Sequence, residues 1–443
     1  MKPRQLVALA VALHGWTACA AMGLQEAYEA AVLADLKYQA DRHERDATRH
    51  ALPIARAALR PTLQLTASQL RYDGSRSVPG PAGSVTQDLN YSTPQQGLHL
   101  RQPLYNPEAW RGYEQAGRQA EFGERVFAVR GLELADRLAT AYLTVLLAAE
   151  ELRLTQAHER ALGAQAQSAQ RRLDRGEGTR IEILETVARL DIARARRVDA
   201  QDAQTLARAE LQNIVGRDVE TLQGLPPGFA PPLLAPAGLA PWLERAAAAS
   251  PVLATRRQAV LVAEAEVARS RAGHLPRLEM VAGITRSRSE SVSTLDQQLN
   301  QRFIGLQLSV PLYAGGQIDA RTDQALARLR RAEAEWELER KTVETQVRRF
   351  FLATSNAQER LAAHLRAVSA SEAALEGTRR GFAAGLRTNV EVLDAYHQVF
   401  VSRRESMQAQ HDHLLAYLRL HSQSGTPAGE AIAIVARLLS AHP

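Results

Sequence analysis

The chain states its pattern twice, and that duplication constrains the fold more than any other feature. Thr179–Glu185 reads T-R-I-E-I-L-E and Thr388–Asp394 reads T-N-V-E-V-L-D. Gly176 and Gly385 stand three residues before these motifs, and Gly216 and Gly425 follow them, with an offset of 209 in both glycine pairs. Arg60–Leu65 (R-P-T-L-Q-L) is echoed by Leu275–Met280 (L-P-R-L-E-M), and Arg101–Tyr105 (R-Q-P-L-Y) by Ser309–Tyr313 (S-V-P-L-Y). Solenoid units run about twenty to fifty residues, so this is a duplicated half rather than a short repeat. The expected division is a leader over 1–20, a first repeat over 21–215, a Pro-rich connector over 216–241, a second repeat over 242–425 and a short tail over 426–443.

Each half has one order: helix, strand, loop, strand, very long helix, glycine break, helix. Leu63, Leu65 and Ala67 alternate with polar residues, as do Leu278, Met280, Ala282 and Ile284, the period of a strand. Leu98 and Leu100 resume the alternation as far as Pro103, and Ile304, Leu306, Leu308 and Val310 do so as far as Pro311. Asp73–Thr93 and Ser287–Asn300, rich in Gly, Ser and Asn, are expected loops. Asn106-Pro107-Glu108 is a helix start, with an Asn cap, Pro in the first turn and an acid at the positive dipole end. Little interrupts helix from there to Gly176, a span of roughly 100 Å. Leu134, Leu138, Ala141, Val145, Ala148 and Leu152 form a heptad seam, and Ala135, Ala139, Tyr142, Leu146 and Ala149 a second beside it, so more than one neighbouring helix is expected. Trp336, Val343, Val347 and Phe351 continue the pattern in the second half, with Leu393, Phe400, Met407 and Leu414 in its last long helix.

The N-terminus reads as a secretory leader: Lys2 and Arg4, the apolar run Leu6–Leu13, then Ala18-Cys19-Ala20. Cys19 is the only cysteine. Its acylation would favour an aliphatic residue three positions earlier, where Trp16 stands. No later apolar run is long enough for a membrane helix. The formal charge of +6 is spread through pairs such as Arg171-Arg172 and Arg379-Arg380 among acids, the pattern of solvated helix faces rather than of a nucleic-acid partner.

Four strands of about ten residues match the length that crosses an outer membrane when tilted. Lipid leaves no backbone group unpaired, so an open four-stranded sheet cannot sit there, and closed barrels need at least about eight strands. Three copies sharing one barrel would supply twelve. The expected class is thus an α+β membrane protein whose copies together close a barrel continuing into long helices, with a soluble hairpin as the lesser alternative for each strand pair.

R-P-T-L, G-H-L-P-R-L, V-P-L-Y-A-G-G (Val310–Gly316) and G-F-A-A-G-L-R-T-N-V-E-V-L-D (Gly381–Asp394), in this order, resemble the TolC family of outer-membrane exit ducts over essentially the whole mature chain. Asn106-Pro107 departs from the Gly315-Gly316 of the second half, and the tail after Gly425 is short. The resemblance implies a homotrimer with a 12-stranded barrel in the outer membrane of a Gram-negative bacterium, continuous with a long α-helical barrel that reaches through the periplasm to an adaptor protein. It also implies an inner-membrane pump, either an ABC exporter for type I protein secretion or a drug–proton antiporter. The break at Gly385 looks most like the secretion branch. No cofactor is implied.

The breaks at Gly176 and Gly385 suit a left-handed helix-ending residue. Thr179 with Glu182, and Thr388 with Glu391, fit capping boxes. Glu391 and Asp394 share a helix face, so three chains would bring six carboxylates to one constriction, a ring that favours cations. By resemblance Glu391 and Asp394 take the positions of constriction acids, Arg387 that of a gate-bonding arginine with Glu182 as its partner, and Phe382 that of a gate tyrosine. An enzyme is a poor alternative. His411 and His413 lie two apart on a helix and point to different sides, and no phosphate loop or nucleophile elbow is present. A periplasmic coiled-coil scaffold is the stronger rival, but it leaves the four strands unexplained.

Overall fold

The computed structural model describes residues 21–440 apart from 82, 227–228 and 292–293. The leader, Cys19 included, lies outside the described residues. Two compact units are present, one formed by Glu44–Val126 and Thr255–Glu337, the other by the remaining, helical segments.

In the first unit β1 (Thr62–Gly80) pairs antiparallel with β2 (Gly83–Tyr105), in unbroken register from Thr62 opposite Arg101 to Gly80 opposite Gly83. β2 then pairs with β3 (Arg277–Ser291), with a register shift between Pro103 and Tyr105, and β3 with β4 (Thr294–Ser309). The order is β1-β2-β3-β4, and neither outer edge meets another strand among the described residues.

The two expected loops are instead strand over most of their length. The ladder needs only backbone bonds, and its upper part is held by the stacked rings of Tyr72 and Tyr91, 4.9 Å apart. A 2.7 Å hydrogen bond between the Ser77 and Thr86 hydroxyls lies further out. The sequence conceals this because the apolar side chains change face without a bulge. They sit at Leu63, Leu65 and Ala67, then at Leu70, Tyr72 and Val78 on the opposite side.

Below that change one sheet face is apolar on every strand: Leu63 and Leu65, Leu98 and Leu100, Leu278 to Ile284, Ile304 to Leu308. This stripe runs obliquely. Leu65 pairs with Leu98, Leu98 with Ile284 and Ile284 with Arg302, yet the middle of the β4 stripe is Leu306. Four residues of slip over three strand spacings are about 14 Å against about 14 Å, an obliquity near 45°. The other face is polar, and there Arg101 pairs with Glu279 at 3.2 Å.

Helix α4 (Pro107–Asp174) begins as expected, with the Ala109 amide donating to the Asn106 side chain at 3.0 Å. The second half enters its long helix differently, through Gly315 and Gly316 at φ 62° and 80°. Position φ > 0 demands glycine there, whereas an Asn cap followed by Pro107 needs none. Pro103 lies at the β2 shift and Pro311 just past β4.

The helix expected before the first strand is three: α1 (Leu24–Ala34), α2 (Leu36–Arg49) and α3 (Ala51–Ala57). Buried Asp35 makes the first break, its carboxylate accepting from the Tyr38 amide at 2.7 Å and from Arg137 at 2.8 Å. The helical unit further holds α5 (Arg180–Val215), α6 (Leu239–Ala249), the start of α7 (Pro251–Arg271), and the end of α8 (Gln317–Ser355) from Leu338 on. It is completed by α9 (Ala357–Ala383), α10 (Asn389–Gln423) and α11 (Ala428–Ser440). Its main core joins Leu24, Ala27 and Ala31 to the α4 seams, to Leu211 and Val215, and to Leu414 and Leu418. Tyr142 is fully buried and donates its hydroxyl to the carbonyl of Met22 at 2.8 Å. The short tail is part of the core: Ala431, Ile432, Val435 and Leu439 of α11 are buried in the same cluster as α1. Their helical spacing supplies one apolar face.

The duplication is visible in one further detail. α5 ends at Gly216 with φ 73°, and a Cβ there would lie 2.4 Å from the Ala34 Cβ; Gly425 has φ 97° and faces Ala249 at 2.6 Å. Each half thus closes by seating a glycine on the end of its own short first helix. We expect Gly216→Ala to cost about 2–4 kcal/mol, since the methyl meets backbone-anchored carbon in a left-handed conformation. Urea unfolding of the helical signal would read it, and an unchanged midpoint would refute the close approach.

Candidate functional site at the paired helix turns

Both turns are built alike. After α4 the Gly176 amide donates to Leu173 at 2.8 Å and the Glu177 amide to Arg172 at 2.9 Å; after α9 Gly385 donates to Phe382 at 3.0 Å and Leu386 to Gly381 at 2.8 Å. This is the double bond of a Schellman ending, with the glycines at φ 76° and 73°. Both capping boxes form. The Glu182 amide donates to the Thr179 hydroxyl at 3.2 Å and the Glu391 amide to Thr388 at 3.3 Å. The glutamates return to the cap amides at 3.5 Å and 2.7 Å respectively.

Glu391 is the more strongly held acid. The Thr388 amide, and then Arg387 at 2.8 Å, keep its carboxyl below the usual carboxylate range. Arg387 therefore bonds within its own turn. The implied Arg387–Glu182 pair does not form within a chain, because each partner is already engaged by the nearer turn. Asp394 is not a free acid either: Arg189 of α5 pairs with it at 2.7 Å. Phe382 lies under the Arg172 guanidinium, 4.5 Å from the ring centre, so a cation over an aromatic face stands where a tyrosine hydroxyl was implied.

What ties the two turns together is a residue the motif reading passed over. Asn389, the first residue of α10, is 3% exposed. Its amide donates to the Thr186 hydroxyl at 2.9 Å and accepts from Gln165 of α4 at 2.9 Å. Thr186 in turn donates to the Glu182 carbonyl at 2.7 Å. Three helices converge on one side chain, above a small core of Leu162, Leu190, Ala193 and Leu393. The one available signal was the mismatch inside the repeat, Asn389 against Arg180. An exposed arginine in one copy and a buried amide in the other mark the position where the halves do different work.

No group of three or more histidine, cysteine or acidic side chains among the described residues is arranged to hold a metal. The arrangement is a hydrogen-bonded joint between the two helix pairs.

A family model described as outer membrane efflux protein matches residues 27–217 and 242–426. The gap between the two matches falls in the Pro-rich connector. The alkaline protease secretion protein AprF of Pseudomonas aeruginosa is 34% identical over 409 residues, spanning 91% of this chain and 85% of its own. The proteases secretion protein PrtF of Dickeya chrysanthemi is 32% identical over 425 residues, 95% of this chain and 92% of its own. Crystal structures of CusC share the fold, with a TM-score of 0.76 over 92% of both chains at 16% identity. Matched in both halves, and over nearly its full length by such relatives, this chain belongs to the outer membrane efflux protein family.

Proposed function

We propose that three copies of this chain form an outer-membrane exit duct for one-step (type I) protein secretion. It receives its cargo from a periplasmic adaptor and an inner-membrane ABC exporter. The observation that carries the reading is the sheet: two unpartnered edges, and an apolar stripe whose obliquity near 45° agrees with the roughly 35–45° tilt of outer-membrane strands. Tilting the strands by that angle levels the stripe into a belt, and joining β4 of one copy to β1 of the next removes both edges. Three four-stranded sheets make twelve strands. The relatives named for protease secretion support a protein as cargo.

In this reading residues 1–20 direct export and the halves 21–215 and 242–425 each supply two strands and a helix pair around the connector 216–241. The residues after 425 complete the helical core. The paired turns are the periplasmic closure, with Glu391 and Asp394 of three chains at its rim, Asn389 and Arg189 tying the two turns of each chain together, and Arg387 and Glu182 stiffening one turn each.

The test is twofold. Unboiled purified protein should migrate as a trimer and conduct in planar bilayers, and a deletion strain should lose a secreted protein. Loss of drug resistance with secretion intact would replace the exporter by a drug–proton antiporter. A water-soluble monomer without conductance would leave only a periplasmic scaffold.

A further inference from the structure

Immediately above the apolar stripe, on the same sheet face and on the side of the hairpin ends, stand three arginines. Arg71 is six residues beyond Leu65 on β1, and Arg302 is four beyond Leu306 on β4. Arg286 is five beyond the centre of the β3 stripe, which lies between Met280 and Ala282. At about 3.4 Å per residue and a 45° tilt, these offsets put the three Cα atoms about 10–14 Å above mid-belt. The apolar band of an outer-membrane barrel is about 25 Å tall, so its upper boundary falls at about 12 Å, among them. All three side chains are exposed, and none is in an ion pair among the described residues; Arg71 donates to the Asn90 side-chain oxygen at 3.3 Å. On the opposite face, by contrast, Arg101 has its carboxylate partner in Glu279. The nearest acid further out on the β1 face is Asp73, eight residues beyond Leu65. The sequence of layers is apolar, then cationic, then mixed.

We infer that Arg71, Arg286 and Arg302 bind the phosphate groups of phosphorylated lipid in the outer leaflet, three arginines per copy around the barrel wall. Guanidinium forks suit phosphate oxygens, and their long stems reach from the edge of the hydrocarbon to the headgroup plane. Charge complementarity selects the occupant, because an uncompensated cationic row at that depth requires anions there. The inference rests on the barrel reading above, since only closure and tilt bring the three residues to one level.

Purified full-length trimer in neutral detergent, titrated with fluorescent diphosphorylated lipid A, tests it. The Arg71→Gln/Arg286→Gln/Arg302→Gln variant should bind at least tenfold more weakly, each residue counting for about fivefold near an anionic surface. Arg→Lys at all three positions should restore most of the affinity, and Arg76→Gln on the other face should change little. Equal binding by wild type and by a triple variant that remains a heat-stable trimer would overturn the assignment. So would displacement by millimolar inorganic phosphate, or equal affinity for dephosphorylated lipid A. If wild type forms no heat-stable trimer, the barrel reading itself falls, and this inference with it.

Discussion

Asn389→Leu should open the duct. The substitution removes a buried amide, leaving Gln165 without its partner and taking from the Thr186 hydroxyl the bond it accepts, though not the one it donates to the Glu182 carbonyl. Stranded buried polar groups cost roughly 1–3 kcal/mol each, so the closed arrangement should lose about 2–4 kcal/mol. If that joint exists only in the closed state, the closed-to-open ratio falls by a factor of roughly 30 or more. Single-channel recording should show long-lived high-conductance openings in the variant. Arg387→Ser should do much less, because an exposed pair four residues apart within one turn contributes little. Glu182→Ala removes one cap bond but leaves its carbonyl to Thr186, so its effect should be intermediate. Equal conductance in wild type and Asn389→Leu would remove the joint from the gating mechanism.

Mild acid should weaken the helical unit well before its carboxylates titrate. His411 and His413 are 5% and 3% exposed, and burial pushes both down to about 4, with Asp412 opposing the shift at His411 and Arg360 adding to it at His413. His421, edge-on to Trp242, and His158, against Phe400, are also held near 4, chiefly by burial. These rings stay neutral when folded, whereas in the unfolded chain they take up a proton below about 6.5. Stability is therefore full above pH 6.5 and is lost progressively as the pH falls towards 4. Each such histidine contributes a slope of about 1.4 kcal/mol per pH unit, so His411 and His413 together should cost about 4 kcal/mol between pH 6.5 and 5. Urea midpoints at pH 7.5 and 5 would measure it, and His411→Leu/His413→Leu should flatten the difference by about half. A midpoint indifferent to pH over that range would contradict the burial argument. The two histidines lie on different sides of α10, and both sides prove to be covered: both rings are buried, and His413 lies near Phe229, ring centres 6.2 Å apart.

Local signals were legible and long-range ones were not. The Asn106 cap, the two glycine endings and the two Thr–Glu boxes are fixed by neighbours within a few residues, and all appear as read. The joint at Asn389 depends on Gln165, 224 residues away, and nothing in the motif T-N-V-E-V-L-D foretells which helix will cover its second residue. The outer halves of the hairpins were hidden for a different reason. Apolar residues that change face break the period-two pattern in one dimension, although the ladder itself continues without a bulge. The packing of the tail was not legible because the helix its apolar side covers, α1, lies at the other end of the sequence.

The mismatch between Arg180 and Asn389 also sets the symmetry of motion. In a three-copy assembly six nearly alike tips ring the entrance, but only alternate ones carry the buried amide. On the proposed trimer this predicts parting at three seams, one within each subunit between its two helical hairpins, rather than the dilation of a uniform iris.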